Sequence, residues 1–279
     1  RLRDQSIVFV GSGSAGCGIA ELIISAMMAE GLTDAEARAR VFMVDRFGLL
    51  SEGMSDLLDF QQRLVQPRAA FAAWNLTAGN AFPGLLDVVI NAKASILIGV
   101  SGKPGLFTEE VIRKMHAGCP RPIILPLSNP SHHVEAEPSD VVAWTKGDAI
   151  IATGSPFANV EFEGKSYGIS QCNNSYVFPG IGLGVISCKA KLVSDKMLMV
   201  ASTTLAELSP GEEDQSSAIL PPLTQLSQIS RKIAFAVAKT ALEEGLAREM
   251  TDEELLAAIE RNFWTPEYRE YRRIATRAR

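Results

Sequence analysis

Ile7-Val8-Phe9-Val10-Gly11-Ser12-Gly13-Ser14-Ala15-Gly16-Cys17-Gly18-Ile19-Ala20 decides the fold. Four apolar, largely β-branched residues predict a buried strand, and the apolar pattern from Ile19 to Met28 predicts a long helix. Between them stands the G-x-G-x-x-G spacing of a dinucleotide-binding turn, in the strand-turn-helix context that gives such a motif meaning. Gly11 allows the tight turn, Gly13 lets the backbone approach a pyrophosphate, and Gly16 lets helix and strand pack closely. The helix N-terminus would then present free N–H groups and its dipole to the anion. Ser12, Ser14 and Ala15, between the glycines, are read as cofactor contacts with them. The motif begins almost at the first residue and the chain starts with Arg1, so a fragment or a processed chain is expected.

Working outward, Gly31-Leu32-Thr33 ends the first helical run, and Thr33 with Glu36 forms a capping box opening a short helix through Arg40. Val41 to Val44 predicts the second strand, and Asp45 stands at its carboxyl end, where this fold sets an acid against the adenosine ribose. The spacing exceeds the usual figure of about 20 residues, and the inserted helix accounts for it. A loop carboxylate capping the next turn is the other reading of Asp45. Arg46, directly after it, offers a charge that a ribose 2′-phosphate could use.

Three more strands are predicted, each followed by small or polar residues. They are Ser95 to Val100 before Ser101-Gly102, Pro122 to Leu127 before Ser128-Asn129-Pro130, and Asp148 to Ala152 before Thr153-Gly154-Ser155-Pro156. Helical patterns at Thr108 to Ala117 and Ser139 to Thr145 separate them. Strands alternating with helices predict an α/β, Rossmann-like, doubly wound parallel sheet whose ligand crevice lies beyond the strand carboxyl ends. Beyond Ala158 the alternation stops. A small hairpin over Val160 to Tyr167 is followed by helices over Gly180 to Ala190, Asp195 to Glu207, Ile229 to Glu244 and Asp252 to Arg261, with a polar loop at Ser209 to Ser217. The expected division is a dinucleotide-binding domain over 1–173 and a helical carboxyl-terminal region over 174–279. The closing stretch, Trp264 to Arg279, mixes aromatics and arginines and reads as an oligomer contact or a surface helix.

Composition bounds the function. The 279 residues are 47% hydrophobic and 21% charged with a formal charge of −5, and no Lys/Arg cluster interleaved with aromatics offers a nucleic-acid groove. No run is long and apolar enough to predict a membrane span. Cys17, Cys119, Cys172 and Cys188 lack C-x-x-C spacing and suit structural thiols in a reducing, cytoplasmic compartment.

Among candidate ligand groups, Asn129 precedes a proline at a strand end, where an amide can bond a carboxamide or a carboxylate. Asn173-Asn174 set paired amides at the entrance to a buried helix; helix capping is the alternative for both positions. His132 and His133 are adjacent, so their rings are expected to point apart rather than share a metal, and Glu135 and Glu137 read as members of a solvated loop. His116 reads as an exposed helical residue. Gly102-Lys103-Pro104-Gly105 lacks the frame of an ATP-binding loop. No metal-ligand set and no catalytic group is assigned.

The blocks GSGSAGCGIAELI, VFMVDRFGLL, ILIGVSGKPGLFTEEVI, PLSNPSHHVEA, ATGSPF, QCNNSYVFPGIGLGVI and NFWTPEYREYRR, in this order, resemble the carboxyl-terminal half of malic enzymes, most closely the large bacterial NAD-dependent type. The resemblance runs from Ile7 to Arg273. It implies oxidation of L-malate by NAD with decarboxylation to pyruvate, a divalent metal (Mg or Mn) in the full-length enzyme, and a dimer or tetramer. It assigns Gly11 to Gly16 to the pyrophosphate, Asp45 to the adenosine ribose, Val100, Ser101 and Asn129 to the nicotinamide side, Asn129 also to the substrate, and Asn173 and Asn174 to the malate carboxylates or the nicotinamide ribose. Gln62, where NADP-preferring relatives tend to carry a lysine, favours NAD. The family's tyrosine acid, lysine base and metal carboxylates belong to motifs upstream of the fingerprint, so the chain alone is expected to be inactive. A malolactic enzyme and a stand-alone dinucleotide-sensing module are the competing readings.

Overall fold

A computed structural model describes residues 1–77, 82–210, 218–268 and 271. Strand β1 (Ile7–Val10) is wholly buried and pairs in parallel with β2 (Val41–Asp45) on one side. After the two-residue β3 (Gly48–Leu49), the chain returns to pair β4 (Ile96–Gly99) in parallel with the other side of β1. Strands β5 (Ile123–Pro126) and β6 (Ile150–Thr153) extend the sheet in the same direction. A hairpin of β7 (Val160–Phe162) and β8 (Lys165–Tyr167) stands apart, and β9 (Ser170–Gln171) closes the far edge. The sheet order is β3-β2-β1-β4-β5-β6-β9, an α/β Rossmann-like arrangement in which the order of strand addition reverses between β1 and β4.

The period-2 alternation of a strand sends its side chains to opposite faces, and each face has its own core. Ile7 and Phe9 pack with Cys17, Ala20, Ile24 and Met27 of α1 (Ser14–Ala29). The short α2 (Asp34–Arg38) follows on that side, opened by the Thr33/Glu36 capping box that the sequence predicts. Val8 and Val10 face the opposite core. There they meet residues of α5 (Leu85–Asn91), α6 (Glu109–Gly118) and α7 (Pro138–Thr145), among them Val88, Ile112, Met115 and Val141.

Two differences from the sequence reading stand at the sheet edges and in the β3–β4 crossover. The sheet is not wholly parallel: Asp45 pairs with Gly48 across the Arg46-Phe47 turn, so β3 runs antiparallel. Gly48 has φ +107°, and a side chain there would come within 2.8 Å of the Pro83 carbonyl. The crossover also contains α3 (Asp59–Gln62) and α4 (Arg68–Phe71), each too short to leave a periodic signature.

From Tyr176 onward a third core forms among α8 (Phe178–Cys188), α9 (Asp195–Glu207), α10 (Leu226–Glu243) and α11 (Asp252–Asn262). Helix α10 contributes Ile233, Ala234, Val237, Ala238 and Ala241, a stripe at helical spacing. Helix α8 lies against it through glycines. A Cβ on Gly184 would sit 2.6 Å from the Ala234 carbonyl oxygen, and one on Gly180 would sit 2.7 Å from Cβ of Ile233. Most of the Ser209 to Ser217 loop, from 211 onward, lies outside the described residues, as do 269, 270 and 272–279 of the closing aromatic-arginine stretch.

The Gly184 contact is backbone against backbone, so no rotamer change can relieve a side chain placed there. Gly184→Val is expected to lower the unfolding free energy by about 1–3 kcal/mol through overpacking. A fall in the urea midpoint at unchanged slope would show it. An unchanged midpoint would mean that α8 can leave α10 without cost.

Candidate functional site

The turn between β1 and α1 is built from backbone. Gly11 has φ +111°, and its N–H donates to the Val44 carbonyl at 2.9 Å. A Cβ on Gly11 would lie 2.6 Å from the Val100 carbonyl oxygen, and one on Gly16 would lie 2.4 Å from the Gly11 carbonyl oxygen. A Cβ on Gly13, by contrast, would meet nothing within 4 Å. Gly13 is the N-cap of α1 and brings no capping side chain, the first turn holds no acidic residue, and Ser14 and Ala15 are exposed. The helix therefore opens onto free space with its first N–H groups unfilled by side chains, a cradle that fits an anionic diphosphate.

At the end of β2, a chain of buried polar groups holds Asp45. The Nε2 amide of Gln61 donates to the carbonyl and to the hydroxyl oxygen of Ser12, 2.9 Å each. With its oxygen so occupied, the Ser12 hydroxyl donates its single proton to Oδ2 of Asp45, while the Arg46 N–H donates to Oδ1 at 2.6 Å. Leu58 N–H donates to Oε1 of Gln61 at 2.8 Å, which completes the amide. The carboxylate is thus fixed in orientation and keeps lone pairs for hydroxyl donors. Arg46 is exposed and rests over the Phe47 ring at 4.6 Å. Gln62 is exposed and donates only a long bond, 3.4 Å, to the Leu57 carbonyl, so the amide turned into this network is its neighbour Gln61.

Across the switch, the ends of β4 and β5 are tied together by Glu135. The sequence reads this residue as part of a solvated loop; it is fully buried. Its Oε1 accepts from the Ser101 N–H (2.9 Å), the Ser101 hydroxyl (2.7 Å) and the Ser128 hydroxyl (2.5 Å), and its Oε2 accepts from the Ser128 N–H (3.3 Å). The carboxylate enters because Gly99 leaves it room: a Cβ on Gly99 would sit 2.4 Å from Cδ of Glu135. Glycine inside an otherwise apolar strand is the signal for such a close approach, and it was available in the sequence. Asn129 follows Ser128, is exposed, precedes a cis proline, and accepts a hydrogen bond from the Ser155 hydroxyl at 2.6 Å.

Gly11, Asp45, Arg46 and Ser101 converge on one cavity of about 570 Å³, with Lys103 and Phe47 also in its wall. A second cleft of about 750 Å³ continues past Asp45 and Arg46 to Gln61. Ser12 lies behind this surface, and Val100 supplies the carbonyl packed on Gly11. Asn129, Asn173 and Asn174 do not line either cavity. Asn173 accepts from the Ser175 N–H at 3.0 Å and caps the short 3₁₀ turn Asn174–Tyr176.

The two adjacent histidines differ from expectation: a 3₁₀ turn over Ser131–His133 brings the His132 and His133 rings to 4.4 Å instead of pointing them apart. His116 is half-buried on α6, with Nε2 3.0 Å from Oδ2 of Asp148. Among the described residues, no three His, Cys, Asp or Glu side chains are grouped to hold a metal, and no helix is long and apolar enough to cross a membrane.

Residues 1–242 match the family model described as "Malic enzyme, NAD binding domain". Over 273 residues the chain is 62% identical to an NAD-dependent malic enzyme of Pseudomonas savastanoi pv. phaseolicola, covering 98% of this chain and 48% of that protein. Over 275 residues it is 58% identical to NAD-dependent malic enzyme 1 of Vibrio vulnificus, covering 99% and 49%. The chain spans about half the length of the curated relatives it matches. The crystal structure of Entamoeba histolytica malic enzyme superposes with a TM-score of 0.70 at 25% identity, over 94% of this chain and 48% of that one. Malic enzyme from Pyrococcus horikoshii shares the fold, with a TM-score of 0.70 at 22% identity, over 94% and 54%.

All four cysteines are free thiols, and one of them sits in the cradle. Cys17 on the first turn of α1 is buried, donates to the Ser12 carbonyl at 3.4 Å, and has its pKa pushed up to about 11, first by burial and then by Glu21 and Asp45. Only the thiolate is alkylated. Cys17 should stay unmodified by iodoacetamide at pH 8 in the folded chain and react in urea; mass mapping of the labelled peptide reads this, and rapid native labelling would contradict the burial.

Proposed function

This chain belongs to the malic enzyme NAD-binding-domain family, and we propose that it supplies the NAD site of a protein that oxidises and decarboxylates L-malate to pyruvate, CO₂ and NADH. The observation that carries this reading is the convergence of Gly11 of the fingerprint turn, the oriented carboxylate of Asp45 and Ser101 on one cavity, beside a helix α1 whose N-terminus is open at Gly13. In this reading, the backbone of Gly11 to Gly16, with Ser12, Ser14 and Ala15, holds the pyrophosphate against α1. Asp45 accepts hydrogen bonds from the adenosine ribose, with Arg46 at its edge. Val100, Ser101 and Asn129 face the nicotinamide half. Asn173 and Asn174 serve the substrate side.

When bound, NAD accepts a hydride from the hydroxyl-bearing carbon of malate. What the chain's own residues do is bind, orient and discriminate. The Asp45 carboxylate, turned outward by Ser12 and Gln61, repels a 2′-phosphate and accepts from a 2′-hydroxyl, which favours NAD over NADP. Exposed Arg46 stands beside it as the group that a phosphate would use. Among the described residues no three His, Cys, Asp or Glu side chains are grouped to hold the divalent metal implied for the complete enzyme, so no role in its binding is assigned to this chain.

We read 1–173 as the dinucleotide-binding domain and 174–279 as a helical region, a division supported by the separate core that starts at Tyr176. Exposed apolar residues on α8, Phe178 (69% exposed) and Ile186 (63%), support contacts with further protein, in a homo-oligomer or with the rest of a longer chain. Four free cysteines support a reducing, cytoplasmic setting.

Calorimetric titration of the chain with NAD and with NADP tests the reading. Binding of NAD with at least tenfold preference over NADP is expected, with no malate-dependent formation of NADH by the chain alone. A preference for NADP would overturn the role given to Asp45, and binding of neither would remove the cofactor reading.

A further inference from the structure

We propose that Glu135 is a positioning residue for the nicotinamide half of the cofactor, acting through Ser101 and Ser128. The inference rests on the cofactor reading above. A dinucleotide crosses the switch point of a doubly wound sheet, so with the adenosine half at the end of β2 the nicotinamide half falls beyond β4 and β5. The loop after β4 and the segment after β5, which holds only the 3₁₀ turn Ser131–His133, are tied to each other through Glu135.

The chemistry of the joint is one-directional. A carboxylate only accepts, and four donors from the two loops close on it: the N–H and hydroxyl of Ser101 and the N–H and hydroxyl of Ser128. The Ser128 hydroxyl also accepts from the Gly102 N–H at 2.9 Å, which stitches the loops directly to each other. The backbone around Glu135 adds two more ties. Its carbonyl accepts from the Phe107 N–H at 3.0 Å, and the Val134 carbonyl accepts from the Gly105 N–H at 3.3 Å. Gly99 on β4 gives the side chain its space, so the arrangement is set by the sheet itself. Ser101 lines the proposed cofactor cavity and Ser128 is the residue before Asn129. Glu135 itself is fully buried and reaches no ligand. Its role is therefore indirect: it sets the positions of Ser101 and Asn129 relative to the fingerprint turn. Among the described residues no cation forms an ion pair with it, and the four hydrogen bonds are what offset its burial.

Glu135→Gln keeps the shape and replaces one acceptor oxygen with a donor, which must then face the Ser128 N–H or the Ser101 donors. The test compares NAD, NADH and ADP-ribose, which shares the adenosine diphosphate ribose half but lacks nicotinamide. In the unmodified chain all three should bind. In Glu135→Gln, affinity for NAD and NADH should fall about tenfold, the size expected from one buried donor left unmet, while ADP-ribose affinity stays within about twofold and bound NADH shows weaker emission enhancement. Ser128→Ala removes the stitch between the loops without placing a donor against another donor and should show the same split, which keeps the test usable where Glu135→Gln folds poorly. Equal loss of NAD and ADP-ribose, or no loss of either, in a folded variant would overturn the positioning role while leaving the cofactor reading intact. Failure of the unmodified chain to bind any of the three would overturn the cofactor reading, and this inference with it.

Discussion

The contact on which the site depends is one between backbones. The carbonyl of Val100 and the turn at Gly11 stand so close that a methyl group on Gly11 would overlap the carbonyl, and Gly16 of α1 packs on the same turn. Between α1 and the end of β4 only the Val100 side chain intervenes, its Cγ2 3.0 Å from where a Cβ on Gly16 would lie. The glycines at 11 and 16 thus let α1 start close against the strand ends. Asp45 to one side and Ser101 to the other take their separation from this junction, because Asp45 ends and Ser101 follows a strand paired in register with β1.

Each flank of the junction is then held by a buried polar group of a similar kind. On the β2 side Gln61 orders Ser12, and Ser12 orders Asp45. On the β4–β5 side Glu135 orders Ser101 and Ser128. A typical intramolecular hydrogen bond contributes only about 0.5–1.5 kcal/mol net, whereas a buried donor left without a partner costs about 1–3 kcal/mol. Such groups consequently add less to stability than they subtract from freedom: alternative loop positions would strand a buried donor or acceptor, and the loops keep one arrangement.

Features with a long or repeated signal are legible in the sequence alone. The fingerprint, the five parallel strands β1, β2, β4, β5 and β6, the Thr33 capping box and the carboxyl-terminal helices all carry periodicity or local chemistry over several residues. Strands β3 and β9 have two residues each, and α3 and α4 four each, so no period can be read from them. Glu135 illustrates a different obstacle. Ser131-His132-His133-Val134-Glu135 is polar by composition, and burial of its acid is dictated by partners 34 and 7 residues away at Ser101 and Ser128. The compensating clue, Gly99 in Ile96-Leu97-Ile98-Gly99, lies in another element. Gln61 was hidden similarly, since adjacent amides at 61 and 62 look alike until the helix phase of α3 buries one and exposes the other.

The two-residue edges of the sheet bear on how this molecule can assemble. A long, flat edge strand offers a row of unpaired amide and carbonyl groups to any other chain and invites sheet extension. Here one edge is a turn-bound antiparallel pair ending at Leu49, and the other is Ser170-Gln171. Neither presents enough free backbone to template a strand from a second copy. Among the described residues, growth of the seven-stranded sheet is closed off at both ends, which directs assembly to other surfaces: the side chains of helices and loops and the separate β7–β8 hairpin.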